Sequence, residues 1–266
     1  MNFPYNTLIS NLKNNVYKKI VVLSGAGISV SSGIPDFRTP KVGLYSRVSE
    51  YGNLPFPEAI FEINYFESNP KPFYKFCLDF LDVNKDYKPS VAHRFIKFLN
   101  DKNNLLMNFT QNIDGLEQKA GLPLEKLVQA HGHLRTCTCM KCKARSDISN
   151  FFAKIKNLDI CYCEKCKTGM VKPDIVFFGE MLPDDFYEKT NIIKNGDLVF
   201  IMGTGLQVFP FAGLIQHIDD KSPIVYLNND RGGSTFFNPF LFIQGDIDQN
   251  LKKIIELCGW NHELKI

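Results

Sequence analysis

The chain has 266 residues, of which 44% are hydrophobic and 22% are charged, and its formal net charge is +3. This composition is typical of a globular protein, and the chain is long enough for one large α/β core and a smaller module. Because the positive charge is mild and no run of Lys or Arg exceeds two residues, we expect no direct binding of nucleic acid.

The chain also lacks the usual sequence signals for membranes and secretion. Its longest apolar runs are only a few residues, far short of the roughly 20 that a membrane-spanning helix needs. The segment Met1–Ser10 does not have the basic-then-apolar order of a signal peptide. We therefore expect no membrane association, reduced thiols, and a cytoplasmic or nuclear location or both.

Short apolar runs bounded by turn residues recur along the chain, and they predict the buried strands of a parallel sheet. These runs are Ile20–Leu23, Leu105–Phe109, Leu127–Ala130, Leu198–Met202, Ile224–Asn228 and Leu241–Gln244. Helical patterns separate or follow them at Ile113–Ala120, Pro210–Ile218 and Ile247–Leu257. Alternating strands and helices predict right-handed βαβ units, so we expect an α/β fold with a doubly wound, Rossmann-like sheet.

Two stretches interrupt this alternation. Residues 39–100 are aromatic and helical in pattern, and residues 132–180 contain most of the cysteines. We interpret them as two insertions that together form a smaller domain. The large nucleotide-binding part of this single catalytic unit, residues 1–266, would then comprise residues 1–38, 101–131 and 181–266.

The first predicted strand leads directly into a glycine-containing turn, Ser24–Ser29. Its glycines would let backbone amides approach a pyrophosphate, although such a turn also fits simple tight packing. Val30 stands where the dinucleotide fingerprint has its third glycine. No acidic residue about twenty positions further on is placed to bind an adenosine ribose, which disfavours a hydride-transferring dehydrogenase.

Four cysteines form two C-x-x-C pairs that are separated by twenty residues. The pairs are Cys139 with Cys142 and Cys163 with Cys166. Two such pairs can present four thiolates to one tetrahedral Zn²⁺, which leaves no position for water, so we predict one structural zinc per chain. A disulfide framework is disfavoured by the regular spacing, while Cys137 and Cys161 could substitute as ligands within their clusters.

Polar residues follow the second and third predicted strands. Considered alone, Asn112 and Asp114 would cap a helix and favour its first turn. His131 would most often be a structural histidine, but ligands of open α/β sheets bind at the carboxyl ends of the strands. The apolar segment Val176–Glu180 fits a buried strand.

Taken in order, these motifs resemble those of the sirtuin family of NAD-dependent protein lysine deacylases. The motifs are Gly25–Ser29, Gly33–Arg38, Thr110–Asp114, Ala130–Gly132, the four paired cysteines, Lys172–Glu180, Gly203–Thr204, Gly245–Asp246 and Gly259–Trp260. The similarity extends from about residue 10 to 260, and two of the motifs, Asp36–Arg38 and Val176–Glu180, are similar to the class I branch.

The resemblance implies roles for individual residues, with NAD as a co-substrate. His131 would be the general base, which relays a proton from a ribose hydroxyl after the acyl oxygen has attacked the anomeric carbon and nicotinamide has left. Asn112 would be the second catalytic residue, at the nicotinamide. Phe37 would shield the cationic intermediate from water. The implied NAD contacts are Gly25, Ala26, Gly27, Ser29, Asp36, Phe37, Arg38, Gln111, Asn112, Ile113, Asp114, Gly203, Thr204, Gly205, Asn228, Asp230 and Ile247.

The resemblance also implies a site for the acylated substrate. The backbone of the substrate would pair with a segment of this chain as an added strand, and an apolar tunnel would hold the acyl-lysine stem. The residues of this site would be Val176, Phe177, Phe178, Gly179 and Glu180. Sirtuins that prefer succinyl or malonyl lysine carry a Tyr-x-x-Arg pair, which does not occur in this sequence. The family usually has Ser at position 205 and often Cys at 247, so Gly205 and Ile247 are departures.

The predicted function is therefore NAD-dependent deacetylation of protein lysine, with transfer of the acetyl group to ADP-ribose and release of nicotinamide. The expected partners are acetylated proteins or peptides, with histones and tubulin-like proteins as candidate targets. Mono-ADP-ribosyl transfer and long-chain deacylation are alternatives on the same scaffold. A non-catalytic sensor of NAD or acyl-lysine is a further alternative, disfavoured because His131 and Asn112 are both present.

Overall fold

The structure is a computed structural model of the chain, and it describes residues 2–37, 39, 41, 43–80, 86–232 and 236–264. The strands of this described part are β1 (Ile20–Ser24), β2 (Leu105–Thr110), β3 (Leu127–Gln129), β4 (Gly132–Cys139), β5 (Arg145–Asp147), β6 (Val171–Ile175), β7 (Leu198–Met202), β8 (Ile224–Asn228) and β9 (Phe240–Gln244). The helices are α1 (Tyr5–Lys13), α2 (Ile63–Ser68), α3 (Lys71–Phe80), α4 (Val91–Asp101), α5 (Leu116–Lys119), α6 (Ile148–Ile155), α7 (Asp184–Thr190), α8 (Ile247–Cys258) and α9 (Asn261–Leu264). No helix of the described residues is long and apolar enough to cross a membrane.

The chain divides into two compact units. The large unit comprises Met1–Gly33, Lys88–Ala130 and Pro183–Ile266, and the small unit comprises Ile34–Tyr87 and His131–Leu182. Both units are therefore discontinuous in sequence.

A six-stranded parallel sheet forms the centre of the large unit, in the order β3-β2-β1-β7-β8-β9. Each of its strands lies at one of the predicted apolar runs, and β1 and β7 are buried along their whole length. The chain builds the sheet outward from β1 in one direction and from β7 in the other. This order places a topological switch point between β1 and β7, where open α/β sheets bind their ligands.

The helix α4 belongs to the large unit, whereas the sequence analysis placed residues up to 100 in the smaller domain. The helix is strongly amphipathic, and its Phe95, Ile96 and Leu99 are fully buried in the core that covers the sheet. The Phe95 ring lies 5.6 Å from that of Phe200 on β7. Burial of this apolar face against the sheet, rather than any local signal, determines which unit the helix joins.

The other predicted helices of the large unit differ in length or type. The helix α8 closely matches the predicted segment Ile247–Leu257. The segment Ile113–Ala120 forms an α-helix only over Leu116–Lys119, because Asp114 and Gly115 complete a turn first. Residues Phe211–His217 form a 3-10 helix within the predicted segment Pro210–Ile218.

The small unit contains a three-stranded antiparallel sheet, in the order β5-β4-β6, which the sequence analysis did not predict. Its helical part is held together by a cluster of phenylalanine rings in edge-to-face contact. The rings of this cluster belong to Phe61, Phe66, Phe73, Phe76 and Phe177. The last of these comes from the second insertion, so the cluster joins the two insertions of the small unit.

Candidate cofactor and zinc sites

The glycine turn after β1 packs directly against the turn after β7. The Gly27 amide donates to the Gly203 carbonyl at 2.9 Å. A Cβ atom on Gly25 would lie 2.7 Å from Thr204 Cβ, and one on Gly27 would lie 2.6 Å from Gly203 Cα. The alternative considered for this motif, tight packing, is therefore part of the explanation: these glycines let two strand-end turns meet at the switch point.

A hydrogen-bond network joins the ends of β1 and β2 in the large unit. Asn112 Nδ2 donates to the Gly25 carbonyl and to Ser29 Oγ, both at 3.2 Å. The Ser29 hydroxyl donates in turn to Asp114 Oδ2 at 2.7 Å, and the Leu116 amide donates to Asp114 Oδ1 at 2.9 Å. Burial raises the pKa of Asp114, while these two donors act in the opposite direction. Asp114, rather than Asn112, therefore provides the contact at the start of the helix.

The turn after β7 is tied to the neighbouring strand ends as well. The Thr204 hydroxyl donates to Gln111 Oε1 at 2.5 Å, and the Tyr226 hydroxyl donates to the Thr204 carbonyl at 2.8 Å. Asn228 Nδ2 donates to the Tyr226 hydroxyl at 3.2 Å. The large unit thus brings together the predicted cofactor residues that follow β1, β2, β7 and β8, and Tyr226 is a member of this network that sequence reasoning missed.

The remaining predicted cofactor residues of the large unit lie around this network. Ala26 and Ile113 are half-buried neighbours in its turns. Ile247 is 7% exposed and packs in the hydrophobic core. Asp230 is exposed, and its carboxylate accepts from the Gly232 amide. A Cβ atom on Gly205 would meet nothing closer than the Gln207 side chain at 3.6 Å, so the serine usual at this position would fit.

In the small unit, Asp36 and Phe37 lie in a short loop. The Thr39 amide donates to Asp36 Oδ1 at 2.7 Å. The Phe37 ring lies 5.7 Å from Tyr45 and 5.8 Å from Phe61, so it extends the aromatic cluster. Arg38, the third member of the predicted motif, lies outside the described residues.

His131 is half-buried and lies where the chain leaves the large unit and enters the small one. Its carbonyl accepts from the Val176 amide at 2.9 Å. The next residue, Gly132, has φ +77°, and a Cβ atom there would lie 2.2 Å from the Asp174 carbonyl oxygen. Only glycine fits at this point, which fixes the backbone that carries His131.

The segment Val176–Glu180 follows β6 but is not itself a strand of the sheet, contrary to the simple reading of a buried strand. Phe177 is 1% exposed within the aromatic cluster, whereas Phe178 is 41% exposed. The Phe178 amide donates to the Phe61 carbonyl at 2.8 Å, and its carbonyl accepts from the Ile63 amide at 3.1 Å. One ring therefore anchors the segment while the next is left at the surface.

A buried lysine holds this segment in place, and the sequence analysis did not assign it a role. Lys172 Nζ donates to the Ile175 carbonyl at 2.6 Å, pairs with Glu180 Oε2 at 3.0 Å, and lies 4.5 Å from the centre of the Phe177 ring. Glu180 Oε2 also accepts from the Phe177 amide at 2.8 Å. Burial lowers the pKa of Lys172, and the Glu180 carboxylate opposes that change. Lys172 thus connects Glu180, at the end of the segment, to the Ile175 carbonyl just before its start.

The paired cysteines meet in one cluster. The Sγ atoms of Cys139 and Cys166 lie 3.7 Å apart, as do those of Cys142 and Cys163. Four sulfurs bound to one Zn²⁺ at about 2.3 Å with tetrahedral geometry would lie about 3.8 Å apart, so the cluster fits a structural zinc. Backbone amides lower the pKa of Cys163, and they lower that of Cys166 to about 6, so these two already favour the thiolates that zinc requires. The Ala144 amide lowers the pKa of Cys142, but burial and hydrogen bonds with the other three sulfurs outweigh it and raise that pKa to about 11, so zinc would have to displace that proton.

The neighbouring residues decide which cysteines belong to the cluster. Cys137 Sγ lies 3.1 Å from the Ser146 hydroxyl and is not part of the four-sulfur group, nor is Cys161. A Cβ atom on Gly169 would lie 2.5 Å from Cys139 Sγ, so the cluster also depends on this glycine, which sequence reasoning missed. Cys77 and Cys258 are buried elsewhere, in α3 and α8.

Comparison with known proteins shows which family has this arrangement. A sequence profile of the Sir2 family matches residues 25–210. The chain belongs to the Sir2 family. It is 41% identical over 265 residues to the NAD-dependent protein deacetylase sirtuin-3 of Mus musculus, which covers 98% of this chain and 78% of that protein. It is 40% identical to the NAD-dependent protein deacetylase hst2-1 of Emericella nidulans, covering 96% of this chain and 70% of that protein. It is also 40% identical to the NAD-dependent protein deacetylase sirtuin-2 of Danio rerio, covering 93% of this chain and 70% of that protein.

Membership in the Sir2 family confirms the resemblance inferred from the motifs, and the parallel sheet with a separate four-cysteine module confirms the expected fold class. Sirtuins use NAD as a co-substrate. The network at the β1/β7 switch point is the part of the large unit whose position fits such a ligand, because its turns are glycine-lined and its side chains are hydrogen-bond donors and acceptors.

Proposed function

We propose that this member of the Sir2 family is an NAD-dependent protein lysine deacetylase that releases nicotinamide and transfers the acetyl group to ADP-ribose. The observation that carries the proposal is its identity of about 40%, over nearly the whole chain, to relatives named NAD-dependent protein deacetylases. The geometry supports it, because the large unit orders Asn112 and Asp114 through shared hydrogen bonds to Ser29.

NAD supplies a ribose carbon that can accept the acyl oxygen once nicotinamide leaves. We propose that the His131 imidazole then acts as the general base toward a ribose hydroxyl, a role that histidine takes more often than any other side chain. The two hydrogen bonds donated by Asn112 Nδ2 fix its amide plane, so that it is ready to orient the nicotinamide without a rotational search. The Phe37 ring would keep water from the reacting carbon, since early hydrolysis would waste NAD.

The other predicted site residues would bind the rest of NAD and the acylated lysine. The glycine turns at the switch point would hold the phosphates, and Asn228 and Asp230 would hold the adenosine ribose. The exposed Phe178 would contact the acyl-lysine stem. Acetylated proteins are the proposed substrates, with histones and tubulin-like proteins as candidates, in the cytoplasm, the nucleus or both.

Mass spectrometry of one reaction with an acetylated peptide and NAD tests the function. Loss of the acetyl group together with formation of acetylated ADP-ribose is the expected result. Attachment of ADP-ribose to the peptide would instead show mono-ADP-ribosyl transfer. Binding of both ligands without consumption of NAD would show a sensor, and either outcome would overturn the proposal.

We expect kcat/KM for an acetyl-lysine peptide to exceed that for the matched succinyl-lysine peptide by at least about tenfold. The chain lacks a Tyr-x-x-Arg pair, so a succinyl carboxylate would be buried without a partner, which is costly. A matched long-chain acyl peptide provides a third comparison. Equal or better cleavage of the succinyl peptide would contradict the pocket assignment.

Lys172→Met is expected to raise KM for the acetylated peptide by about tenfold while the KM for NAD stays within about twofold. Methionine keeps much of the apolar stem but removes the charge that ties Glu180 to the Ile175 carbonyl, so the Val176–Glu180 segment should lose its fixed conformation. Lys154→Met is a control for the loss of a lysine charge from the same unit, because Lys154 pairs with Glu164 at 3.0 Å and not with Glu180. Equal changes in the two KM values would show general destabilisation instead.

A further inference from the structure

The large unit contains a buried group of titratable side chains next to the Asn112 network. His93 on α4, Asp114 in the turn after β2 and Glu117 on α5 each place one nitrogen or oxygen within 4.8 Å of the others. His93 and Glu117 are both fully buried. Among the described residues, His93 and Asp114 are the titratable groups that face Glu117.

The hydrogen bonds of His93 determine which ring nitrogen carries its proton. The Ser90 amide donates to His93 Nδ1 at 3.1 Å, as part of the cap at the start of α4. A backbone amide can only donate, so Nδ1 must be the acceptor and the proton of the neutral ring must be on Nε2. Burial lowers the pKa of His93 to about 3, which keeps the ring neutral.

The tautomer excludes a cation at this group. A metal bound at Nε2 would need that nitrogen as an electron-pair donor, and the ring proton would then have to lie on Nδ1, where the Ser90 amide already points. The buried Nε2–H has no protein acceptor in hydrogen-bonding geometry among the described residues, and the carboxyl groups of Glu117 and Asp114 are the groups it faces. The arrangement therefore fits a hydrogen-bond network between the neutral imidazole and the two carboxyl groups, without a metal ion.

Glu117 and Asp114 differ in what stabilises their charge. Asp114 accepts from the Ser29 hydroxyl and the Leu116 amide, both of which favour its ionised form. Neither oxygen of Glu117 has a partner in hydrogen-bonding geometry. Burial, and then the charge of Asp114, raise the pKa of Glu117 to about 8, with the Thr110 hydroxyl acting in the opposite direction. When two close carboxyl groups share one proton, it belongs on the one with the weaker donors; Asp114 has two well-formed hydrogen bonds and Glu117 has none in good geometry, so the proton belongs on Glu117.

We propose that Glu117 is a positioning residue for Asp114, and that its neutral carboxyl group links His93 Nε2–H to the Asp114 carboxylate. The spacing of the three groups suits one bridging water, which needs two to four polar partners. Through Ser29, the same connection orders Asn112. The inference rests on the proposed function, because it assigns Glu117 a role in holding residues proposed to bind NAD.

Two variants test the charge state of Glu117 in the reaction. Glu117→Gln is a neutral isostere, and it should keep kcat/KM for NAD within about threefold at pH 7 and hold that activity to higher pH than the wild type. Glu117→Ala removes the link, and it should raise KM for NAD by about tenfold or more. Glu125→Gln is the control, because Glu125 is an exposed carboxylate of the same unit. It should match the wild type at every pH.

A melting experiment tests the same inference without any catalytic readout. The folded-state pKa of Glu117, about 8, lies above its ordinary value of 4.5, so Glu117 costs no stability below pH 4.5, and the cost grows as pH rises from 4.5 to about 8, above which it is constant. The melting temperature of Glu117→Gln minus that of the wild type should therefore widen between about pH 5 and 8. The same difference for Glu125→Gln should stay flat.

Each contrary outcome has a distinct meaning. A tenfold loss of activity or a failure to fold in Glu117→Gln would show that the ionised carboxylate is needed, and unchanged NAD kinetics in Glu117→Ala would show no positioning role. A divalent metal retained by the wild type and lost from Glu117→Gln would show a cation site. Any of these overturns the inference. If the wild-type protein does not deacetylate at all, the proposed function fails, and the melting experiment still decides the protonation of Glu117.

Discussion

His131→Ala is expected to lower kcat for deacetylation by about 10²–10⁴ while the protein keeps its zinc and its melting temperature. A positioned general base is typically worth that factor. The side chain is half-buried, and the backbone that carries it is held by the Val176 amide and by Gly132, which the substitution leaves unchanged. Steady-state kinetics with an acetylated peptide, together with a melting curve, measure the effect.

The same variant should separate two steps of the reaction. Release of nicotinamide precedes the proposed base step, so exchange of labelled nicotinamide into NAD should be reduced less than net deacetylation. His133→Ala is a matched control, because His133 is a half-buried histidine two residues further along β4. Deacetylation by folded His131→Ala within a few-fold of wild type would show that His131 is not the base.

Cys163→Ser is expected to release the zinc and unfold the small unit. Zinc binding in small modules contributes about 10–16 kcal/mol in isolated peptides, comparable with the whole stability of a typical domain. If only about 4 kcal/mol of this were lost here, the melting temperature would fall by roughly 8–16 °C. Elemental analysis and calorimetry on protein purified without chelator would measure both effects.

The neighbouring cysteine offers the matched control for this prediction. Cys137→Ser should keep about one zinc per chain, because Cys137 lies beside the Ser146 hydroxyl and outside the four-sulfur group. Wild-type protein without zinc would contradict the metal assignment. Loss of zinc from Cys137→Ser alone, with Cys163→Ser unaffected, would move the ligand set to the other cysteines.

The sequence alone determined the large sheet and the order of the motifs. A strand buried on both faces needs a short, continuous apolar run, and β7 and β8 begin and end at the predicted residues for that reason. The four-cysteine cluster could also be predicted from the sequence, because the C-x-x-C spacing is that of two local knuckles that bind one ion. The family followed from motifs whose residues are adjacent in the chain.

The unit to which α4 belongs and the antiparallel sheet could not be predicted from the sequence, because both depend on contacts between residues far apart in the chain. Whether α4 joined the large unit depended on Phe95 meeting Phe200, more than a hundred positions away. In the antiparallel sheet of the small unit, β5 has only three residues and the burial of β4 alternates only over its second half, so the sequence carries no sustained period-two pattern there. The hydrogen bonds of β4 to β5 and β6, which are distant in sequence, stabilise these strands where the local sequence has no strong strand pattern.

The same limit applies within the candidate site. The sequence showed that Gly25 and Gly27 lie in a turn, but only the packing of that turn on Gly203 showed why a side chain is excluded there. Glu117 belongs to none of the motifs, and Lys172 begins the motif Lys172–Glu180 without a role that the sequence indicates. Both side chains are buried, so water does not stabilise their charges and each depends on one or two neighbouring groups. Which groups are neighbours is determined by the tertiary structure.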